Sequence, residues 1–268
     1  NIKKKNIPLV LLNGRINKKS FHKWKKLGKT AKYLFNKFDM CYPSSKESGM
    51  HLNLLGARKN KYIGNLKFSQ TEKNEHQISL KQKNFFLTKD IWCASSTHNS
   101  EEILIASAHK RIKKRYKNLV TIIIPRHIER TNIIINQLED LNLNVHCHSD
   151  GDKIKRDTDI YLVDAYGKTK SFYSICKIVF LGGSMITHGG QNPLEPARYG
   201  CKILHGPHVW NFHEIYQLLK EYGVSSKINN LEQLIIQTNK DFNKKSNSLK
   251  IKIKIKNIGD KILNSTFK

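Results

Sequence analysis

The sequence is poor in acidic residues, since 21 aspartates and glutamates stand against 48 lysines and arginines, for a formal net charge of +27 over 268 residues. It has no apolar run near the roughly 20 residues that a membrane-spanning helix needs. The longest runs, around 122–124 and 178–186, are broken by proline or glycine. Neither a G-x-G-x-x-G fingerprint nor a G-x-x-x-x-G-K-[ST] loop is present, which excludes the usual dinucleotide enzymes and P-loop ATPases. We therefore expect a globular chain of another class.

The five cysteines are scattered, and none belongs to a C-x-x-C pair. An odd, dispersed set argues against a disulfide framework and favours a reducing, cytoplasmic compartment. His146, Cys147 and His148 are adjacent, but neighbours on a strand point to opposite faces and rarely share one ion. We therefore expect no metal site.

The positive charge favours polyanionic partners. The lysines are spread along the chain and accompany many asparagines and isoleucines, as an A/T-rich coding sequence would produce. No zinc finger, helix-turn-helix or RNA-binding aromatic signature is present, so we expect no specific nucleic-acid partner. The partner that the charge favours most is an anionic membrane surface, contacted peripherally.

Hydrophobic periodicity predicts an α/β fold. Residues 7–12 form a strand-like run, residues 17–37 carry aromatic and apolar residues at helical spacing, and residues 69–84 are polar. From residue 85 onwards, strand-like runs alternate with helical segments, which implies a parallel sheet covered on both faces. The expected strands begin near residues 91, 119, 145, 160, 178 and 202, and the expected helices near residues 101, 129, 194, 212 and 231.

The C-terminal pattern is compatible with two structures. Residues 249–255 alternate apolar residues with lysine, as a strand does, whereas Ile251, Ile255, Ile258 and Ile262 have helical spacing. We favour the helix because it accounts for more residues. Together these patterns predict an N-terminal domain over 1–68, a connection over 69–84 and a Rossmann-like domain over 85–268.

Ligands of an open parallel sheet bind at the carboxyl ends of its strands, and four such loops carry polar chemistry. In residues 94–102, Asn99 and Glu102 resemble a capping box, and the hydroxyls and helix amides there suit an anion or an ordinary helix start. In residues 124–130, Arg126 is placed to pair with phosphate oxygens. Residues 163–168 place a glycine after a strand, where backbone amides could hold a base or a phosphate.

The loop over residues 181–196 is the most informative. Its two glycine pairs permit backbone conformations closed to other residues and the close approach of a ligand. Asn192 as cap, Pro193 at the first helical position and Glu195 at the third predict a helix start. Glu195 either caps this helix or accepts hydrogen bonds from ribose hydroxyls. The four loops together indicate a nucleotide-binding domain, and a sugar-nucleotide transferase fits them best.

The motifs of these loops resemble those of the 3-deoxy-D-manno-octulosonic acid (Kdo) transferases of lipopolysaccharide assembly. They keep their order from about residue 7 to residue 223. The most specific are GGS at 182–184, GGQNPLEP at 189–196, GPH at 206–208 and NF at 211–212, supported by NGR at 13–15, SF at 20–21, GNLK at 64–67, STH at 96–98 and PRH at 125–127.

This resemblance implies a GT-B glycosyltransferase that transfers Kdo from CMP-Kdo to a lipid A precursor (lipid IVA), with inversion and without a cofactor, at the cytoplasmic face of the bacterial inner membrane. It also implies that Lys67 stabilises charge that develops in the transition state. The residues that it implies for CMP binding are Pro125, Arg126, Tyr166, Gly167, Lys168, Asn192, Pro193, Leu194 and Glu195.

The chain departs from the family pattern in several places. Gly167-Lys168-Thr169 stands where the family usually has Gly-Glu-Leu, a charge reversal, while Ile128 replaces a usual proline and Gln191 a usual histidine. The family's general-base glutamate, a second acidic motif before Trp-Pro and the N-terminal anchor of many relatives are not found. We therefore interpret the chain as N-terminally truncated and expect it, alone, to bind CMP weakly and to transfer no Kdo, because an inverting displacement needs a base.

Two alternatives remain open at this stage. The chain could be another GT-B glycosyltransferase that uses a UDP-sugar, or a non-catalytic basic binding protein built on a nucleotide-binding scaffold. Preference for CMP over UDP separates the first from a Kdo transferase. Steeply salt-dependent binding to random DNA, with no effect of CMP on thermal stability, would support the second.

Overall fold

The structure is a computed structural model. It describes residues 5–70, 78–244 and 247–266. All five cysteines are free and buried. Within the described residues, no helix combines the length and the apolar character needed to cross a bilayer.

The chain forms two compact units. One comprises residues 1–71 and 255–268, and the other comprises residues 72–254. The predicted connection over 69–84 includes residues 71–77, which lie outside the described residues. The units differ from the predicted domains chiefly at the C-terminus, where residues 255–268 group with the first unit, and the domain boundaries stay a prediction.

The first unit has a two-stranded parallel sheet packed against helices. Strand β1 (Val10–Gly14) pairs with β2 (Met40–Pro43). The predicted single helix over 17–37 is wrong: it is divided into α1 (Lys18–Lys26) and α2 (Gly28–Phe35). The break falls at Gly28, whose φ of +48° is left-handed and cannot continue a helix. Helix α3 (Lys46–Leu54) follows β2. The core of the unit is a cluster of buried apolar residues: Ile16, Ala31, Phe35, Cys41, Leu52, Leu55 and Ala57.

The second unit is a seven-stranded parallel sheet, which confirms the predicted α/β fold. The strand order is β5-β6-β4-β3-β7-β8-β9. The strands are β3 (Asp90–Thr97), β4 (Leu119–Pro125), β5 (Val145–Cys147), β6 (Ile160–Leu162), β7 (Ile178–Leu181), β8 (Lys202–His205) and β9 (Ser225–Lys227). The helices are α4 (Leu80–Leu87), α5 (Glu101–Lys113), α6 (Thr131–Glu139), α7 (Thr169–Tyr173), α8 (Leu194–Arg198), α9 (His213–Glu221) and α10 (Leu231–Phe242).

The middle of this sheet is apolar because it is covered on both faces. All seven residues of β4 are buried, as the unbroken run Leu-Val-Thr-Ile-Ile-Ile-Pro predicts for a central parallel strand. Trp92 on β3, Ile105 on α5 and Phe180 on β7 pack in one core cluster. This rigid layer holds the carboxyl ends of β3, β4, β6 and β7 at one edge.

The C-terminal segment is a helix, α11 (Ser248–Thr266), as favoured over a strand. Ile251, Ile255 and Ile262 are buried, at intervals of four and seven residues that bring them to one face. The intervening lysines 252, 254 and 256 lie on its other faces. The helical spacing of the isoleucines therefore predicted the structure of this segment better than the alternation of apolar residues with lysine.

Candidate functional site

The site lies where β3, β4, β6 and β7 end, because parallel strands direct their carboxyl ends to the same edge of a sheet. Ser96, which has a φ of +55°, lies at a bulge near the end of β3. The Arg126 N–H, just beyond β4, donates to the Thr97 carbonyl at 2.9 Å and ties these two exits together. The Thr97 hydroxyl oxygen is buried and has no hydrogen-bond partner among the described residues.

The helix after β3 does not begin with the predicted capping box. Its cap is Ser100, with a φ of +73° and no side-chain capping bond. The Glu102 carboxylate instead forms a two-pronged ion pair with Arg130, at 2.9 and 3.2 Å, and the same guanidinium donates to the Asn99 side chain at 3.3 Å. Arg130 belongs to the same predicted loop as Arg126, but its guanidinium is paired with a buried carboxylate.

Glu101 holds the loop after β3 against the loop after β7. Its carboxylate accepts hydrogen bonds from the backbone N–H groups of Gly183 at 2.7 Å, Ser184 at 3.1 Å and Met185 at 3.0 Å. It also accepts one from the His98 N–H at 3.0 Å, and Glu101 is only 1% exposed. Sequence reasoning missed this role because an acidic residue in a first helical turn is explained equally well by the helix dipole.

The first glycine pair serves this loop-to-loop contact. A Cβ on Gly182 would lie 2.3 Å from the Ser96 carbonyl oxygen and 2.6 Å from the Thr97 Cα. Gly183 has a φ of +63°, a conformation that favours glycine, as predicted from its sequence context. At Gly182, however, the close approach is made by the chain's own backbone.

At the β4 exit, Pro125 is buried as the last residue of the strand and Arg126 is exposed. At the β6 exit, the Tyr166 hydroxyl donates to the Glu129 carboxylate at 2.8 Å, which links these two loops. This hydrogen bond raises the pKa of Tyr166. A bond from its own backbone amide and then the one from Tyr166 lower the pKa of Glu129.

Gly167 and Lys168 complete the β6 exit. Gly167 has a φ of +76° and open space around it. Lys168 is exposed, precedes α7 and lines a depression of about 290 Å³ together with His148 and Ser171. The Lys168 ammonium group lowers the pKa of His148 as a second cause, after burial.

The helix after β7 begins at Leu194, near the expected residue 194, but its cap is Pro193 and not the predicted Asn192. The Asn192 side chain, one residue before the cap, accepts a hydrogen bond from the Leu194 N–H at 3.2 Å. Glu195 is half-buried in the first turn of α8. The Tyr216 hydroxyl donates to the Gln191 carbonyl at 3.0 Å and anchors the preceding segment.

Three histidines, which we call the histidine cluster (His98, His127 and His188), meet at the exits of β3, β4 and β7. The ring of His98 lies 4.3 Å from that of His188 and 5.9 Å from that of His127, centroid to centroid. Burial, followed by repulsion from His188, lowers the pKa of His98 to about 4. In the sequence, one histidine follows each of three strands. These histidines meet only because the three strands are neighbours in the sheet.

The structure therefore gathers the predicted nucleotide-binding residues at one edge of the second unit, on the exits of β4, β6 and β7. Lys67 belongs to the first unit, where it is exposed in a short 3-10 turn, Leu66–Ser69. His146 and His148 have different partners, the Gly151 carbonyl and the Tyr161 hydroxyl. Over residues 5–70, 78–244 and 247–266, no three His, Cys, Asp or Glu side chains are arranged to hold a metal ion.

Comparison with known proteins gives a consistent result. The sequence profile of the 3-deoxy-D-manno-octulosonic-acid transferase (kdotransferase) family matches residues 1–70. The 3-deoxy-D-manno-octulosonic acid transferase of Haemophilus influenzae is 31% identical over 221 residues, covering 81% of this chain and 52% of that protein. The Rickettsia typhi transferase of the same name is 30% identical over 249 residues, covering 92% and 54%. The chain thus spans about half the length of these curated relatives.

Among solved structures, the C-terminal CMP-Kdo binding domain of WaaA from Acinetobacter baumannii matches with a TM-score of 0.59 and 26% identity, covering 69% of this chain and 94% of that domain. A putative UDP-N-acetylglucosamine 2-epimerase from Listeria monocytogenes matches with a TM-score of 0.60 and 13% identity, covering 100% and 70%. This second likeness concerns the fold alone. Together the neighbours confirm the predicted GT-B type of fold.

Proposed function

This chain belongs to the 3-deoxy-D-manno-octulosonic-acid transferase family, and from that membership we propose that its second unit binds the donor CMP-Kdo. The observation that carries the proposal is the overall likeness of this chain to the C-terminal CMP-Kdo binding domain of WaaA, at 26% identity and over 94% of that domain. The exposed exits of β4 and β6 and the α8 start offer donors and acceptors for a nucleotide.

Each predicted contact has a chemical role in this proposal. Arg126, exposed at the end of β4, offers a planar fork of N–H donors to phosphate oxygens. Glu195 offers a carboxylate to the ribose hydroxyls from the first turn of α8. Gly167, which has a left-handed backbone conformation, and the exposed Lys168 are proposed to contact the base or the phosphate. Pro125, Tyr166, Asn192, Pro193 and Leu194 shape the same edge.

The activity proposed for the protein is transfer of Kdo from CMP-Kdo to a lipid A precursor, with inversion, in lipopolysaccharide biosynthesis. Lys67 is proposed to stabilise the charge that develops as the CMP phosphate departs. The general base has no candidate among the motifs of this sequence, so the 268-residue chain is expected to bind the donor without turning it over.

A peripheral contact with the anionic, cytoplasmic face of the inner membrane is proposed as well. Helix α1 carries Lys23, Lys25 and Lys26 in its last turn, and none of its residues is buried. Leu27 and Tyr33, which follow it, are 53% and 68% exposed. Lysines beside exposed apolar side chains suit a surface of acidic lipid headgroups.

The donor proposal is tested by calorimetric titration of the 268-residue chain with CMP and with UDP. CMP is expected to bind more tightly, and Arg126→Lys to weaken CMP binding about tenfold because the fork is lost while the charge stays. Arg115→Lys is the matched control, since Arg115 donates to Asn243 on the surface of the second unit. A preference for UDP would contradict the proposal and favour a UDP-sugar transferase.

A further inference from the structure

The backbone amides of the β7 loop are already used. The N–H groups of Gly183, Ser184 and Met185 point to the Glu101 carboxylate at 2.7 to 3.1 Å. Displacing this carboxylate would leave a buried charge with its four hydrogen bonds broken, which is strongly unfavourable. These three amides are therefore not available to a nucleotide phosphate, which needs other donors nearby.

The histidine cluster lies directly over that loop. A Cβ on Gly183 would lie 3.1 Å from the His188 Nδ1 and 3.2 Å from the His98 ring, so both imidazoles cover this glycine. His127 contributes the third ring from the β4 exit and follows Arg126 in sequence. His127 and His188 are exposed, and the Gln191 side-chain nitrogen lies 3.4 Å from the His98 Nε2.

The carboxylates around the cluster have other partners. Glu101 is bonded to backbone amides, and Glu102 is paired with Arg130. Glu129, which lies near His127, accepts from the Tyr166 hydroxyl. Of these carboxylates only Glu102 is paired with a cation, while Glu101 and Glu129 accept from neutral donors and keep their negative charge. The rings of the histidine cluster and Arg126 add proton-accepting and cationic groups beside them.

Groups that are cationic, or become so on protonation, surround the His98 ring. After burial, the pKa of His98 is lowered by His188, His127, Arg126 and Arg130, in that order. All four are positively charged or become so on protonation. An anion placed among them would offset this repulsion and favour protonated rings.

We propose that the histidine cluster, together with Arg126, binds the phosphate group of the donor nucleotide. This inference rests on the proposed donor site and assigns its phosphate subsite. A neutral imidazole donates one hydrogen bond and a protonated one donates two, and both are directed from ring edges that a phosphodiester can reach. Because the bound anion favours protonation, binding is coupled to proton uptake and tightens as the pH falls.

The probe is cytidine 5′-(methyl phosphate), a diester like that of a CMP-sugar, whose single charge stays constant between about pH 6 and pH 8. Calorimetric titration of the 268-residue chain is expected to show about tenfold tighter binding at the lower pH. It is also expected to show proton uptake in buffers of different ionisation enthalpy. Neutral cytidine, which lacks the phosphate, should bind more weakly and show no such pH dependence.

Two variants test the rings themselves. His127→Gln and His188→Gln are each expected to weaken diester binding about fivefold to tenfold and to leave cytidine binding unchanged. His22→Gln, on the exposed surface of α1 in the first unit, is the matched control and should bind both as the parent does. Melting curves by circular dichroism establish that each variant is folded.

The outcomes separate the two proposals. Parent-like diester affinity in both ring variants, with no pH dependence, would overturn the phosphate assignment while leaving the donor site intact if Arg126→Lys still weakens binding. Failure of the parent chain to bind either ligand would overturn the donor proposal, and the phosphate assignment with it. Equal losses for the diester and cytidine in the ring variants would also overturn the assignment, because the rings would then contact the nucleoside.

Discussion

Gly182 shows how a single residue can be required for a reason that its motif does not reveal. A side chain at this position would meet the Ser96 carbonyl oxygen and the Thr97 Cα of the neighbouring loop. Its glycine neighbour, Gly183, adopts the left-handed conformation that its sequence context predicts. The need for glycine was predictable from the sequence. That Gly182 lies against Ser96 and Thr97 was decided by the pairing of β3 with β7.

Thr97 offers a prediction at the same scale. Its hydroxyl is buried without a partner among the described residues, so Thr97→Val replaces an unsatisfied polar atom with a methyl group of similar size. The variant is expected to be more stable than the parent by about 1 kcal/mol, because burying an unpaired hydroxyl is unfavourable. Urea denaturation followed by circular dichroism measures the difference.

Thr121→Val is the control for that substitution. The Thr121 hydroxyl accepts from the Trp92 indole at 2.7 Å and lies 2.9 Å from His109. Removing it leaves the Trp92 N–H and the His109 Nδ1, both buried, without this partner and should lower the free energy of unfolding by about 2 kcal/mol. A destabilised Thr97→Val would mean that the Thr97 hydroxyl has a partner in solution and would refute the prediction.

At the scale of elements, buried polar residues join helix α5 to the sheet. His109 and Lys113 on α5 both contact the Asp159 carboxylate, which lies just before β6, and the His109 contact measures 3.2 Å. The Asn144 backbone N–H, ahead of β5, donates to the same carboxylate at 2.9 Å. Asp159 therefore ties α5 to the edge where β5 and β6 begin.

Asp159→Asn is expected to lower the free energy of unfolding by about 2 kcal/mol, because two charge-assisted contacts lose their anion. Burial opposes ionisation of Asp159, but the hydrogen bonds from His109 and Lys113 outweigh it and hold its pKa well below the usual range. The stabilisation is therefore present above about pH 4 and is lost as the pH falls further. Denaturation at several pH values should show a shallower acid-induced loss in the variant.

The neighbouring carboxylate at Asp157 provides the control. It is exposed and contacts the Asn144 side chain at 3.3 Å. Asp157→Asn is expected to change stability by less than about 0.5 kcal/mol, as for most surface substitutions. Equal effects of the two substitutions would refute the role assigned to Asp159.

The elements also show which segments a sequence predicts well. Strand β7 and the start of α5 lie where periodicity places them, because a buried strand is an unbroken apolar run and a helix buries one stripe. Strand β9, in contrast, is Ser-Ser-Lys and was missed. Its residues carry no apolar pattern, and it is a strand only because it pairs with β8 at the edge of the sheet.

At the scale of the whole molecule, the net charge of +27 is the dominant property. Vesicles containing phosphatidylglycerol are expected to sediment with the 268-residue chain at low ionic strength and to release it at about 0.5 M salt, where the Debye length falls to roughly 4 Å. Vesicles of phosphatidylcholine alone serve as the control and should retain little protein. Retention on both kinds of vesicle, or retention at high salt, would contradict an electrostatic surface contact.

Some features of this protein were determined by the sequence itself. The parallel α/β architecture, most of its strands, the C-terminal helix and the family motifs follow from periodicity and short-range spacing, which act over a few residues and need no partner. Lysine-rich composition likewise sets the charge, whatever the fold. These properties depend on local chemistry alone.

Other features were decided only by the tertiary structure. Glu101 binds amides 82 to 84 positions away, and the histidine cluster unites residues from three strand exits. The two-pronged pairing of Arg130 with Glu102 removes one arginine from the set that a ligand could meet. Such partnerships depend on which strands are neighbours in the sheet, and strand order is a property of long-range packing that local patterns do not encode.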